Sequence, residues 1–238
     1  WVEDTLFRTT VPPEEVAAIF VEPIQGEGGY IVPPPEFHTE LHKASEKYGI
    51  LYVADEVQSG MGRTGKMFAM EHFGVVPDII ALAKGIASGM PLGAMVAKSD
   101  IMVWEAGSHA STFGGNPVSC SAALATIELL ESELMENARI NGEYLIAGLR
   151  ELQKSIECMG DVRGKGLMIG VELVKDRVTK ERAGDWRNEV IQKAFAKGLL
   201  LLGCGENTIR FCPALTVTKE EIDACLSIFE ETLLDLGK

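Results

Sequence analysis

The chain has 238 residues and a net charge of −13, with 46% hydrophobic and 24% charged residues. Those proportions fit a globular protein with one large core or two smaller ones, and they exclude disorder, collagen and extended coiled coil. The acidic balance repels phosphate backbones and anionic lipid, so small molecules are expected as partners and nucleic acids and membranes are not.

Residues 16–24, VAAIFVEPI, form a continuous apolar run bounded by turn signals, which predicts a short parallel strand covered on both faces. Residues 36–48 place Phe37, Leu41, Ala44 and Tyr48 on one face, predicting a helix that Gly49 stops. ILYVADEV is a second apolar run ending in acids, a short helix is expected near 67–73, and the run 79–83 ends on Lys84. Strand, helix, strand, helix, strand predicts a parallel sheet with crossover helices. Residues 117–134 and 137–155 then read as long amphipathic helices. They are followed by a strand over 166–173, a helix over 185–197, a strand over 207–215 and a closing helix over 218–236. The last begins with the capping pattern Thr218 to Glu221. The domain boundary is expected near residue 135. Five cysteines without a CxxC pair predict reduced thiols in a cytoplasmic setting, and neither a membrane span nor a signal-peptide pattern is expected. The first residue is Trp1, which fits a piece of a longer protein.

Ligands of a parallel α/β sheet sit outside the carboxyl ends of its strands. Three ionisable residues are expected on that rim: Glu22, Asp55 and Lys84. Any one of them alone reads as a loop cap or a snorkelling strand-end charge; three together point to a site. A free lysine is protonated and non-nucleophilic near neutral pH, so chemistry at Lys84 needs a desolvated setting. The apolar run before it and Gly85, Ala87, Ser88 and Gly89 after it fit that need and leave room for a flat ligand. A rim carboxylate such as Asp55 suits a protonated heterocyclic nitrogen, the partner required in pyridoxal chemistry. The rival is GMGRTG (60–65), which satisfies G-x-G-x-x-G and would indicate a NAD-dependent oxidoreductase, but no acid follows at the spacing ribose binding requires. The histidines 38, 42, 72 and 109 show no metal-ligand spacing, so no metal is expected and they read as surface or packing residues. GDVRGKGL (160–167) reads as a solvated turn.

The segments VEPIQGEGG (21–29), LYVADEVQSGMGRTG (51–65), PDIIALAKGIASGMPLGA (77–94), STFGGNP (111–117) and RGKGLMIGVEL (163–173) run through the chain in order. Together they closely resemble the class III aminotransferases, pyridoxal-phosphate enzymes of fold type I that act on 4-aminobutyrate, ornithine or acetylornithine. The resemblance implies an α/β chain whose residues 1–134 form the C-terminal part of the large cofactor-binding domain. Residues 135–238 would then form a small C-terminal α+β domain. It makes Lys84 the Schiff-base lysine and proton shuttle, and Asp55 the partner of the pyridinium nitrogen. Val57 would pack on the ring and Gln58 would bond its phenolic oxygen. Thr112 would reach the phosphate in a neighbouring subunit, which implies a homodimer or larger assembly with shared sites. Arg210 would bind a substrate carboxylate, and Glu22 would pair with that arginine when an ω-amino substrate is bound. The activity implied is a ping-pong transfer from an ω-amino acid, 4-aminobutyrate first, to 2-oxoglutarate. Acetylornithine or ornithine transamination, or an amino-acid racemase or aminomutase on the same scaffold, are the alternatives. The family's N-terminal half carries the phosphate cup and the ring-stacking aromatic, and without it the chain is expected to be inactive.

Overall fold

Two sheets organise the chain in the computed structural model, which describes residues 1–236. Each belongs to its own unit. The first unit comprises Trp1–Pro23, Pro33–Met61 and Phe68–Leu130; the second comprises Ile24–Val32, Gly62–Met67 and the described residues from Glu131 onward.

In the first unit, strands β1 (Ala18–Val21), β2 (Leu51–Asp55) and β3 (Ile79–Leu82) lie side by side in parallel, as the run of apolar segments predicts. The strand β4 (Ala94–Ala97) pairs antiparallel with β3, matching Ile80 with Val96. It escaped the sequence reading because Pro91 and Gly93 break the pattern just before it. The expected cover on both faces of β1 is also corrected: β1 is an edge strand of this sheet and Phe20 is 75% exposed. After a single helical turn α1 (Phe7–Thr9), the crossover from β1 to β2 is helix α2 (Glu36–Tyr48). Gly49 ends it in the left-handed region at φ 69°, a conformation glycine adopts without a Cβ clash.

The inward face of α2 holds Ala44 and Leu41 as expected but takes His38 in place of Phe37. Phe37 is exposed, and His38 beside it is fully buried, with Nδ1 2.8 Å from the Tyr52 hydroxyl and Nε2 2.9 Å from the Pro23 carbonyl oxygen. A histidine can take this place because both ring nitrogens find partners, which removes most of the cost of burying them. Burial holds its pKa below the ordinary value, against the opposing effect of the Pro23 hydrogen bond. Helix α3 (Pro117–Leu129) starts on Asn116, whose Oδ1 accepts from the Ser119 amide at 2.9 Å, a standard N-cap with proline next to it.

In the second unit the strands β5 (Met159–Lys165), β6 (Met168–Asp176), β8 (Leu202–Cys204) and β9 (Thr208–Phe211) run antiparallel in the order β5-β6-β9-β8, with the two-residue β7 (Glu181–Arg182) added to β6. Helices α4 (Met135–Ser155), α5 (Gly184–Ala196) and α6 (Lys219–Leu234) accompany the sheet. Leu145 and Leu149 of α4, Ile169, Val171 and Leu173 of β6, Val190 of α5 and Phe229 of α6 meet in one core. The rings of Phe211 and Phe229 meet edge to face at 5.0 Å, the arrangement their quadrupoles favour. The capping pattern at Thr218 forms as expected: its hydroxyl accepts from the Glu221 amide at 3.3 Å and Glu221 Oε2 accepts from the Thr218 amide at 2.9 Å. Residues 160–165, read from sequence as a solvated turn, belong instead to β5, because pairing of Val162 with Val171 buries their side chains.

Candidate active site

Asp55 ends β2, and Lys84 follows β3 by two residues, so the acid and the amine stand at the carboxyl ends of adjacent parallel strands. Asp55 is half-buried, and its Oδ1 accepts from the Val57 amide at 3.0 Å, which orients the carboxylate. Val57 and Gln58 are half-buried beside it. The chain between Gln58 and β3 is held from below by Glu56, which sequence reasoning passed over. Its buried carboxylate accepts from Ser59 Oγ at 2.7 Å and from the amides of Ala69 and Met70 at 3.0 and 2.8 Å. Burial pushes the pKa of this acid up, against its hydrogen bonds.

Lys84 departs from the desolvated setting expected of it, since it is exposed in this chain. Its distinction is its backbone, at φ +46°. A non-glycine residue in that region carries a cost of about 1–3 kcal/mol and persists where neighbours fix it, often at functional sites. The four-residue 3-10 helix Lys84–Ala87 begins on it, and Ser88 at φ +44° closes the turn. Thr126 of α3 donates to Ser88 Oγ at 3.0 Å and so ties the turn to a long helix. A Cβ on Gly85 would stand 3.3 Å from Met61 Cβ, so a side chain there would crowd the turn. A rim with an oriented carboxylate, an amide, an amine on a fixed turn and a small residue beside it fits a flat heterocycle that carries a basic ring nitrogen and an aldehyde.

Thr112 lies in an exposed loop that leads to the Asn116 cap. Glu22 follows β1 directly at the same edge of the sheet. The glycines 60–65 open no helix of the length a dinucleotide fingerprint needs, since only the four-residue 3-10 helix Ala69–His72 follows them.

In the second unit, Arg210 sits in the middle of β9, its side chain 17% exposed, with Nη1 2.5 Å from Glu27 Oε1. Burial opposes its charge, but the hydrogen bond and charge of Glu27 outweigh it and hold the arginine above its ordinary pKa. The resemblance implies Glu22 as a partner of Arg210, and within the second unit the structure brings Glu27 to it as well. Glu27 lies in the glycine-rich turn of the segment Ile24–Val32, which belongs to the same unit as Arg210. The signal was present: EPIQGEGG holds two acids, and the second stands among glycines that let the backbone approach closely. Gly205 makes that approach, its amide donating to the Glu27 carbonyl at 2.7 Å. Arg210 also lines an apolar cavity of about 270 Å³ with Leu145, Leu201, Phe211 and Ile222.

Residues 4–233 match the family model of the class-III aminotransferases. The chain is 47% identical to an alanine/serine racemase of Pyrococcus horikoshii, over 99% of this chain and 50% of that protein. It is 45% identical to an acetylornithine aminotransferase of Caldanaerobacter subterraneus, over 94% of this chain and 55% of that one. Among solved structures it is similar to an amine transaminase from an uncultivated Pseudomonas species in its PLP-bound (internal aldimine) form, with a TM-score of 0.90 and 34% identity over 99% of this chain and 55% of that one. The chain thus spans about half the length of the curated relatives it matches.

Proposed function

This chain belongs to the class-III aminotransferases, a family of pyridoxal-phosphate enzymes of fold type I, and from that premise we propose that the whole protein transfers the amino group of an ω-amino acid to 2-oxoglutarate. The first choice of donor is 4-aminobutyrate. The observation that carries this reading is the ion pair of Arg210 with Glu27 at 2.5 Å. An ω-amino donor such as 4-aminobutyrate has no carboxylate on its amine-bearing carbon, so the arginine's charge is met there from within the protein, and Glu27 meets it. A 2-oxo acid brings its own carboxylate, which would take the place of Glu27, a side chain that is 71% exposed. An arginine fork suits a carboxylate, and leaving it buried without a partner would be costly.

Pyridoxal phosphate supplies the electron sink that makes the proton on the amine-bearing carbon removable. Lys84 would hold that group through its amine and, once displaced by substrate, would serve as the base that takes the proton from the substrate carbon and as the acid that gives it back. Asp55, oriented by the Val57 amide, would pair with the ring nitrogen and keep it protonated. Val57 would pack on the ring and Gln58 would bond the phenolic oxygen. Thr112, on its exposed loop, serves the phosphate of a second copy, so the working unit is a homodimer. Amino-transfer assays on the whole protein test this, with 4-aminobutyrate, ornithine, acetylornithine, β-alanine and α-amino acids each offered with 2-oxoglutarate and pyruvate. A strict preference for acetylornithine would overturn the choice of donor.

A second reading, amino-acid racemisation, has its own observation in the 47% identity to an alanine/serine racemase. The same lysine and ring partner serve it, with the proton returned to the carbon it left. Incubation with a single enantiomer of alanine and no 2-oxo acid separates the two: racemisation inverts the carbon, and transamination without an acceptor stops after one turnover.

A further inference from the structure

Arg163 is the residue whose use neither its sequence context nor the reaction explains. It lies on β5, its side chain 16% exposed, and it spends its guanidinium on a loop far away in sequence. Nε donates to the Tyr30 carbonyl at 3.1 Å and Nη2 to the Gly29 carbonyl at 2.8 Å. Nη2 also reaches Thr208 Oγ1 of β9 at 3.1 Å, and Nη1 reaches Glu172 of β6 and Asp161 of β5, each at 2.8 Å.

The loop it grips is strained. Gly29 has φ +131° and Tyr30, with a full side chain, φ +51°. A tyrosine in the left-handed region persists only where its surroundings over-determine it. The surroundings here are close: a Cβ on Gly170 of β6 would stand 3.1 Å from Tyr30 Cβ, and one on Gly205 3.0 Å from the Gly28 carbonyl oxygen. Gln25 and Ile31 bridge the base of the loop with amide bonds of 3.1 and 3.2 Å. Glu27 sits at the tip of this loop. Thr208, at the other end of Arg163, is two residues from Arg210 on the same strand, and Gly170 is the register partner of Arg210.

We propose that Arg163 is a positioning residue that joins the strained 24–32 loop to β9 and so sets Glu27 over Arg210, deciding whether the site accepts a substrate without a carboxylate there. The proposal rests on the reading of Arg210 and Glu27 as a switchable pair. Charge-assisted bonds to two successive carbonyls hold the loop at the point of its strain, and the same guanidinium holds the strand that carries Arg210. Loss of Arg163 frees the loop to relax, and Glu27 loses its place on Arg210, which itself stays in β9.

The test follows the two half-reactions of the whole protein separately by stopped-flow absorbance, with 4-aminobutyrate for the first and 2-oxoglutarate for the second. Glu27→Gln, Arg163→Gln, Arg163→Lys and the double variant Glu27→Gln with Arg163→Gln are compared with the parent. The expected result is a loss of about tenfold in kcat/KM for 4-aminobutyrate in each Arg163 variant, with the 2-oxoglutarate half-reaction within about twofold of the parent. The double variant should lose no more than Glu27→Gln alone, because both changes remove one arrangement. Arg163→Lys keeps the charge but lacks the fork, and it carries the same expectation if Arg163→Gln does not fold. Equal losses in both half-reactions, or losses that multiply in the double variant, overturn the positioning role and leave the Arg210–Glu27 pair standing. If Glu27→Gln itself shows no difference between the two half-reactions, the switchable pair is wrong and the role of Arg163 goes with it.

Discussion

The two units handle their apolar residues in different ways. In the second, Leu149, Ile169, Val171 and Phe229 are fully buried in a core drawn from three helices and an antiparallel sheet. In the first, the buried cluster is small, with Tyr52, Ala54, Met70 and Val75 at its centre, while Phe20, Val103 and Phe113 are about three-quarters exposed. The second unit exposes apolar side chains as well, Val178, Phe195 and Leu200 among them, so the two units differ in the size of their cores and not in what they leave exposed. The chemistry divides the same way. The lysine and carboxylate proposed for the cofactor stand on the first unit, held by turns and backbone hydrogen bonds, and the arginine with its glutamate stands on the second, beside the larger core.

That contrast is open to experiment. Lys84→Ala in the whole protein should lower turnover by about 10³-fold or more, since it removes both the covalent anchor and the proton carrier; single-turnover absorbance reads it, and retention of most activity would take the chemistry away from the first unit. Leu149→Ala should cost about 2–5 kcal/mol in urea unfolding, the range for deleting a fully buried leucine, and a cost under 1 kcal/mol would mean the second core is looser than its burial indicates.

A smaller effect is expected from acid. His38 is buried with its pKa below the ordinary 6.5, so between that value and its folded pKa the unfolded chain binds the proton and the folded chain does not. Stability therefore rises with pH across this window and falls as pH drops from about 6.5 towards 5. Urea midpoints across that range should show the slope, and His38→Phe should flatten it. Least of all, Phe20→Ala should change the stability of this chain by no more than about 0.5 kcal/mol. A clearly larger cost in the whole protein would mean that the exposed face of β1 is covered there.

Local patterns carried the reading as far as contacts within a few residues reach. Helix α2 ends at Gly49 and α6 starts on the Thr218 capping box because both signals act within one turn of the backbone. The apolar runs ending in Asp55 and Lys84 show their place at the strand ends for the same reason. What lay beyond that reach was pairing. Nothing near residue 163 tells that its guanidinium closes on carbonyls at 29 and 30, and nothing near residue 210 tells that its carboxylate is Glu27. The first 23 residues fold with one sheet and the next nine with the other, a division set by burial against distant strands. The residue types on the rim were therefore legible from sequence alone. Which acid meets the arginine, and what holds it there, was decided by the tertiary structure, because an ion pair across 183 residues of chain exists only after both ends have been packed in place.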